Sequence, residues 1–217
     1  VCCRDKNVIA LRANLLGTYM NGIRHYLIVT GDPVARGDRE RVTSVFDFNS
    51  VKFMSYVSEM NADVFANEPV SFGGALNYHG ANVDAIIDRM KQKIQNGCRY
   101  FLTQPIYTAS DAERIREIRR RVDTRILCGI MPLVSYKNAM FVKNEMPGIH
   151  ISDEIVAQYT PRMSREEAEE TAVRISLETA KALYDAADGF YFMTPFNRTG
   201  LIRRIIEQIR GECGKEA

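Results

Sequence analysis

Short apolar runs, rich in β-branched and aromatic residues, alternate with longer stretches of helical period along almost the whole chain. That alternation constrains the fold more than any single motif. The runs fall near residues 1–4, 24–30, 69–75, 99–104, 124–130 and 188–194, each of a length suited to one strand. Between them, residues 6–22 carry Ile9, Leu11, Leu15, Leu16 and Tyr19 broadly on one side, and residues 83–96 repeat the pattern with Val83, Ile86, Ile87, Met90 and Ile94. Segments 49–60, 109–121 and 199–210 read as helices in the same way, and a longer helical region from about 137 to 186 is interrupted at Pro147-Gly148 and Pro161. Ser164, followed by Glu166 and Glu167, predicts a helix start beyond Pro161.

A β-α unit repeated about six times predicts parallel strands buried on both faces. Two α/β architectures meet that requirement, an open doubly wound sheet and an eight-stranded β/α barrel. The phosphate-cradling fingerprints of open sheets are missing, since the first βα turn lacks G-x-G-x-x-G and no G-x-x-x-x-G-K occurs. Polar residues instead follow several strands, namely Asp32, Asn77, Gln104 and Asn197 with Arg198. In a barrel such ends meet at one mouth, so the expected fold is a (β/α)8 TIM barrel with about six of eight units present. Residues 1–217 are then the C-terminal portion of a single barrel domain, with two units and the head of a third expected upstream of Val1.

Composition narrows the partners. The 217 residues are 46% hydrophobic and 26% charged, with a net charge of +2 from 29 basic and 27 acidic residues. That balance points away from disorder and from nucleic-acid binding. No apolar stretch approaches the ~20 residues that span a bilayer, and no signal peptide opens the sequence. The five cysteines, Cys2, Cys3, Cys98, Cys128 and Cys213, are odd in number and lack metal-ligand spacing, so no metal is expected and a reducing cytoplasm is the expected compartment.

Taken singly, the polar strand ends have ordinary structural readings. The Gly31-Asp32-Pro33 sequence turns a chain after a strand, and Gln104 in "LTQPIY" can bond backbone at a strand end. His79 in "ALNYH" reads first as a hydrogen-bonded structural histidine, and Lys93 on an amphipathic helix reads first as solvated. "GIMPL" at 129–133 supplies a wall rather than a reactant, and Arg198 in "TPFNRTG" suits an anion or a polar heterocycle.

Taken together, VTGDP, LTQP, CGIMPL and TPFNR, in this order and on successive strand ends, resemble the methylenetetrahydrofolate reductase family, flavoproteins built on a β/α barrel. The wording is most similar to the reductase half of bacterial proteins that carry an N-terminal homocysteine S-methyltransferase domain. The resemblance implies an oxidoreductase of one-carbon metabolism and methionine biosynthesis. NADH or NADPH would give hydride to FAD, and reduced FAD would convert 5,10-methylenetetrahydrofolate to 5-methyltetrahydrofolate by turns at one flavin face. It implies that Asp32 lies near flavin and pterin, where a carboxylate stabilises the cationic iminium and disfavours anionic reduced flavin. It implies substrate contacts from Gln104 and Arg198, and cofactor contacts from Thr30, Gly31, Asp32, Asp47, Asn77 and Lys93. The family often has arginine where this chain has Thr30.

Two expectations compete with this one: a β/α-barrel lyase or isomerase acting on a phosphorylated metabolite held by Arg198, and a non-catalytic barrel fragment. A flavin spectrum separates them. The family's proton-donating glutamate and a flavin-binding histidine would fall before Val1. General-acid assistance is worth ~10²–10⁴ in rate, so this span alone is expected to be a poor reductase, and full activity measured on it refutes that expectation.

Overall fold

The computed structural model describes residues 1–146 and 148–213. Elements alternate as the sequence pattern requires: α1 (Val8–Met20), β1 (His25–Ile28), α2 (Ser50–Ala62), β2 (Ser71–Leu76), α3 (Val83–Gln95), β3 (Tyr100–Pro105), α4 (Ala109–Arg121), β4 (Arg125–Ile130), α5 (Tyr136–Glu145), α6 (Asp153–Val156), α7 (Arg165–Leu183), β5 (Gly189–Phe192) and α8 (Thr199–Cys213). Small polar side chains set the helix starts by accepting from otherwise unpaired N–H groups. Asn7, Asn49 and Ser135 cap α1, α2 and α5, while Thr108 with Asp111 and Ser164 with Glu167 form reciprocal capping boxes on α4 and α7. The start expected at Ser164 is therefore present. Of the two expected interruptions, Pro161 lies in the turn before α7, whereas Pro147 lies outside the described residues.

The strands form a five-stranded sheet in the order β1-β2-β3-β4-β5. A doubly wound sheet reverses its order at a switch point, whereas a singly wound β/α sheet keeps sequence order, so the α/β expectation of the singly wound type agrees with this topology. The expected strand at residues 1–4 is a single parallel bridge between Cys2 and Val29, flanked by bonds from Val29 N–H to Val1 O at 3.0 Å and from Cys3 N–H to Val29 O at 3.2 Å. The chain enters a turn at Arg4 and Asp5, so the run ends after one bridge.

Two compact units account for the chain. In the first, Val1–Ala75 with Ile87–Phe101, β1 and β2 are parallel with Leu27 opposite Gly73. Leu11 and Leu15 of α1, Phe53, Met54 and Val57 of α2, Ile28 and Phe72 are buried there. In the second, Leu76–Ile86 with Leu102–Ala217, β4 and β5 are parallel with Gly129 opposite Tyr191. One core cluster gathers Tyr107, Leu133, Val142, Ile155 and Tyr159; another joins Ile130 to Ala172, Ala180, Leu201, Ile205 and Ile209 of α7 and α8. Cys98 and Cys128 are buried as expected, and burial pushes the Cys98 thiol up to about 11. No helix among the described residues is long and apolar enough to cross a membrane.

Each unit contains the same crossing. Tyr100 on β3 lies over Gly73 on β2, and its hydroxyl donates to the Tyr26 carbonyl on β1 at 2.9 Å. Tyr191 on β5 lies over Gly129 on β4, and its hydroxyl donates to the Thr103 carbonyl on β3. A Cβ on Gly73 would overlap the Tyr100 ring, whereas one on Gly129 would approach the Tyr191 hydroxyl at 2.8 Å. Overpacking of this kind costs ~1–3 kcal/mol. Gly73→Ala is expected to lower unfolding free energy by about 3 kcal/mol and Gly129→Ala by about 1–2 kcal/mol, measured by urea denaturation. Equal stability of both variants and the parent would show that the rings do not occupy these positions.

Candidate functional site

In the first unit the candidates cluster after β1. Thr30 Oγ1 accepts from Ser50 N–H at 3.0 Å and donates to Ser50 Oγ at 3.1 Å, which ties the strand end to the first turn of α2. Gly31 has φ +94°, and a side chain there would strike Cys2 Sγ and come within 2.9 Å of Arg4 Cβ, so glycine is required by conformation and by space. Asp32 follows it with its side chain in solvent, while its carbonyl accepts from Arg4 at 3.3 Å. The Asp47 carboxylate accepts from Val8 N–H at 2.9 Å, placing a negative charge at the N-terminus of α1.

Lys93 departs from the expected solvated state. It is 7% exposed, because it continues the inward stripe of Ile87 and Met90 on α3 at three-residue spacing. Its ammonium donates to the Ala75 carbonyl at 2.9 Å and stands 5.8 Å from the Phe101 ring centroid. Burial depresses its pKa, with the nearby Cys98 acting in the opposite sense and Arg89 in the same sense.

In the second unit, Asn77 is exposed just beyond β2, and its side-chain oxygen accepts from His79 N–H at 3.0 Å, an Asx turn that leaves the amide NH₂ free of that bond. Tyr78, between them, buries its ring and donates its hydroxyl to the Pro105 carbonyl at 2.7 Å. The His79 ring lies against Tyr78 and His150, with centroids 4.0 and 4.4 Å away. Its Nε2 is buried without a hydrogen-bond partner, which corrects the expectation of a satisfied structural histidine. Burial lowers the His79 pKa most, Asp111 raises it, and His150 lowers it further.

Gln104 sits half-buried on β3, where inward positions are taken by Phe101, Thr103 and Pro105 and alternation leaves residue 104 on the other face. Its Nε2 lies 3.8 Å from the point where a Gly148 Cβ would stand. Arg198 donates to Glu169 Oε1 at 2.9 Å, and the same oxygen accepts from Arg165 at 2.9 Å. Arg165 first, then Arg198, holds the Glu169 carboxyl below the usual carboxylate range. Arg165 and Arg198 line a cavity of about 410 Å³ together with Lys137, Tyr136, Pro161 and Met163. Met131 of "GIMPL" is buried as a wall residue, and its carbonyl accepts from the Tyr107 hydroxyl at 3.0 Å.

Sequence reading passed over His150, Lys137, Arg165 and Phe196. Phe196 has φ 49° and ψ 37°, Asn197 has φ 57°, and the left-handed region costs about 1–2 kcal/mol for a residue with Cβ. No periodicity signals such a conformation.

The topology and these strand ends define a singly wound β/α protein, in which ligands are ordinarily met at the carboxyl ends of strands. The chain belongs to the methylenetetrahydrofolate reductase family, whose model, described as "Methylenetetrahydrofolate reductase", matches residues 1–210. No curated protein matches it. Among solved structures, a protein from Clostridium thermocellum, described as binding two copies of 5-methyl-5,6,7,8-tetrahydrofolic acid, is 18% identical with a TM-score of 0.49. The match covers 67% of this chain and 55% of that one, so this chain spans about half of its length. A dihydrodipicolinate synthase is 13% identical with a TM-score of 0.42, covering 98% of this chain and 75% of its own. The tryptophan synthase α subunit from Legionella pneumophila is 13% identical with a TM-score of 0.41, covering 100% and 84%.

The His79 environment makes stability depend on pH. Its folded pKa lies below the ordinary imidazole value of 6.5, so the unfolded chain takes up the proton first as pH falls. Its contribution is complete above that value and is lost as pH falls through the folded pKa. The unfolding free energy is therefore expected to decline as pH falls below the ordinary imidazole value, and His79→Phe is expected to flatten that decline in denaturant titrations. An identical slope in parent and variant would remove His79 as its source.

Proposed function

We propose that this chain carries the reductase function of its family: NAD(P)H-dependent reduction of 5,10-methylenetetrahydrofolate to 5-methyltetrahydrofolate. The family match across residues 1–210 carries this reading. The ordered strand-end motifs support it, and within the family their wording supports the reductase half of bacterial proteins with a homocysteine S-methyltransferase domain.

The donor set fits a flavin ring, whose edge has both N–H and C=O groups. The Asn77 NH₂ and the Gln104 amide can pair with such an edge without changing charge, and the buried Nε2 of His79 is a ring nitrogen still lacking a partner. Thr30, Asp47 and Lys93 are engaged by Ser50, Val8 and Ala75, so contacts from them to a cofactor would exchange those bonds. A bound FAD would supply the hydride relay between NAD(P)H and the folate. Of the expected cofactor contacts, Gly31, Thr30, Lys93 and Asp47 belong to the first unit, where Gly31 and Thr30 would meet the ring region and Lys93 and Asp47 the remainder, and Asn77 belongs to the second.

Asp32 acts through charge. When the methylene bridge of the substrate opens to a cationic iminium, a nearby carboxylate lowers the energy of that cation. Gln104 orients the pterin by donating and accepting through one amide. Arg198, held by Glu169, meets the polar part of the substrate with its remaining N–H groups.

Asp32 is exposed and bonded through its carbonyl, so Asp32→Asn is expected to leave stability within about 0.5 kcal/mol while lowering turnover of 5,10-methylenetetrahydrofolate about 10²-fold. Steady-state assays with thermal unfolding as the control check this. Unchanged turnover removes the role of Asp32, and a protein that binds neither flavin nor 5-methyltetrahydrofolate refutes the functional reading as a whole.

A further inference from the structure

Phe196 gives the fold nothing that its position requires and costs it twice. Its backbone is left-handed, with φ 49° and ψ 37°, and Asn197 beside it has φ 57°. Glycine is the residue that takes this region without strain, and consecutive left-handed residues with bulky side chains are rare. The ring is also 75% exposed, against 56% for Phe141 and 42% for Tyr184. Neither propensity nor core packing accounts for an aromatic residue here.

Anchors on both sides impose the conformation. Before it, Met193 N–H bonds Ile130 O at 3.0 Å and Pro195 fixes its own φ. After it, Arg198 N–H returns to Pro195 O at 3.0 Å, the Arg198 guanidinium is held by Glu169, and Leu201 and Ile202 are buried at the start of α8. The turn thus projects the ring into water at the carboxyl end of a parallel strand, next to a fixed guanidinium. Thr194, Asn197, Thr199 and Gly200 around it are exposed and polar or small, so the ring belongs to no broad apolar patch of the kind that protein partners cover. A single flat ring beside polar groups suits a single flat ligand ring.

We propose that Phe196 is a stacking platform for a planar nitrogen heterocycle of the substrates, either the pterin of the folate or the nicotinamide of the reductant. This rests on the functional reading given above. The strain is retained because glycine, which would relieve it, has no ring to offer.

The test compares Phe196→Gly, Phe196→Leu and Phe196→Tyr with the parent protein in separate equilibrium titrations with 5-methyltetrahydrofolate, NADH and NADPH, alongside thermal unfolding and sedimentation. Phe196→Gly is expected to raise the thermal midpoint by about 2–4 °C and to weaken binding of one ligand class about tenfold. Phe196→Leu should weaken the same ligand, and Phe196→Tyr should restore it to the parent value. Loss confined to the folate titration assigns the pterin, and loss confined to NADH or NADPH assigns the nicotinamide; either supports the platform. Binding by the parent that Phe196→Gly leaves intact overturns the platform alone, as does a variant that changes only the sedimentation. A parent protein that binds none of the three overturns the functional reading and the platform together.

Discussion

Two tyrosine–glycine crossings fix which residues can stand under one another on the sheet. A tyrosine on a buried sheet face can keep its hydroxyl from being stranded only by reaching an acceptor, and here the acceptor is a main-chain carbonyl two strands away. The ring must lie flat across the strand between, so that strand needs a residue without Cβ: Gly73 under Tyr100 and Gly129 under Tyr191. Hydroxyl, ring and glycine form one device, used once in each unit. Burial pushes the Tyr191 phenol up to about 12, so its hydroxyl stays a donor across the physiological range.

Strand direction then places the polar residues within each unit. β1 runs parallel to β2 and β4 to β5, so the residues that follow the two strands of a pair leave by the same end. Thr30 and Gly31 follow β1, and their geometry is fixed by α2 and by the bridge at Cys2. Gln104 ends β3 and Arg198 follows β5 through a strained turn. The backbone at these ends is held by bonds that a ligand need not supply, while Asp32 and Asn77 keep their side chains in solvent.

Much of this was legible in residue pattern. Element types, the Ser164 start and the buried state of Cys98 and Cys128 follow from periodicity and capping chemistry, which are local. What escaped depends on three-dimensional neighbours. The run at residues 1–4 has strand composition but closes one bridge, because the chain enters a turn at Arg4 and Asp5. Lys93 was read from its residue type, although its spacing from Met90 and Ile87 already places it on the buried stripe. The unpartnered His79 nitrogen depends on His150, which is distant in sequence, and no local rule joins them.

Glu169 shows how a fixed charge can serve a site without touching a ligand. One of its oxygens accepts from both Arg165 and Arg198, two cations that would otherwise repel across a small cavity. The pair is only partly exposed, with both the Arg198 and Glu169 side chains at 22%, so solvent screens the attraction incompletely. Holding Arg198 by one nitrogen tethers its guanidinium while leaving other N–H groups for a second acceptor. Since Arg165 and Arg198 depress the Glu169 pKa, the clasp is complete above the ordinary carboxylate range and loosens only as pH falls through the folded value. At neutral pH the two arginines and Lys137 outnumber the Glu169 carboxylate, so the cavity wall keeps a net positive charge.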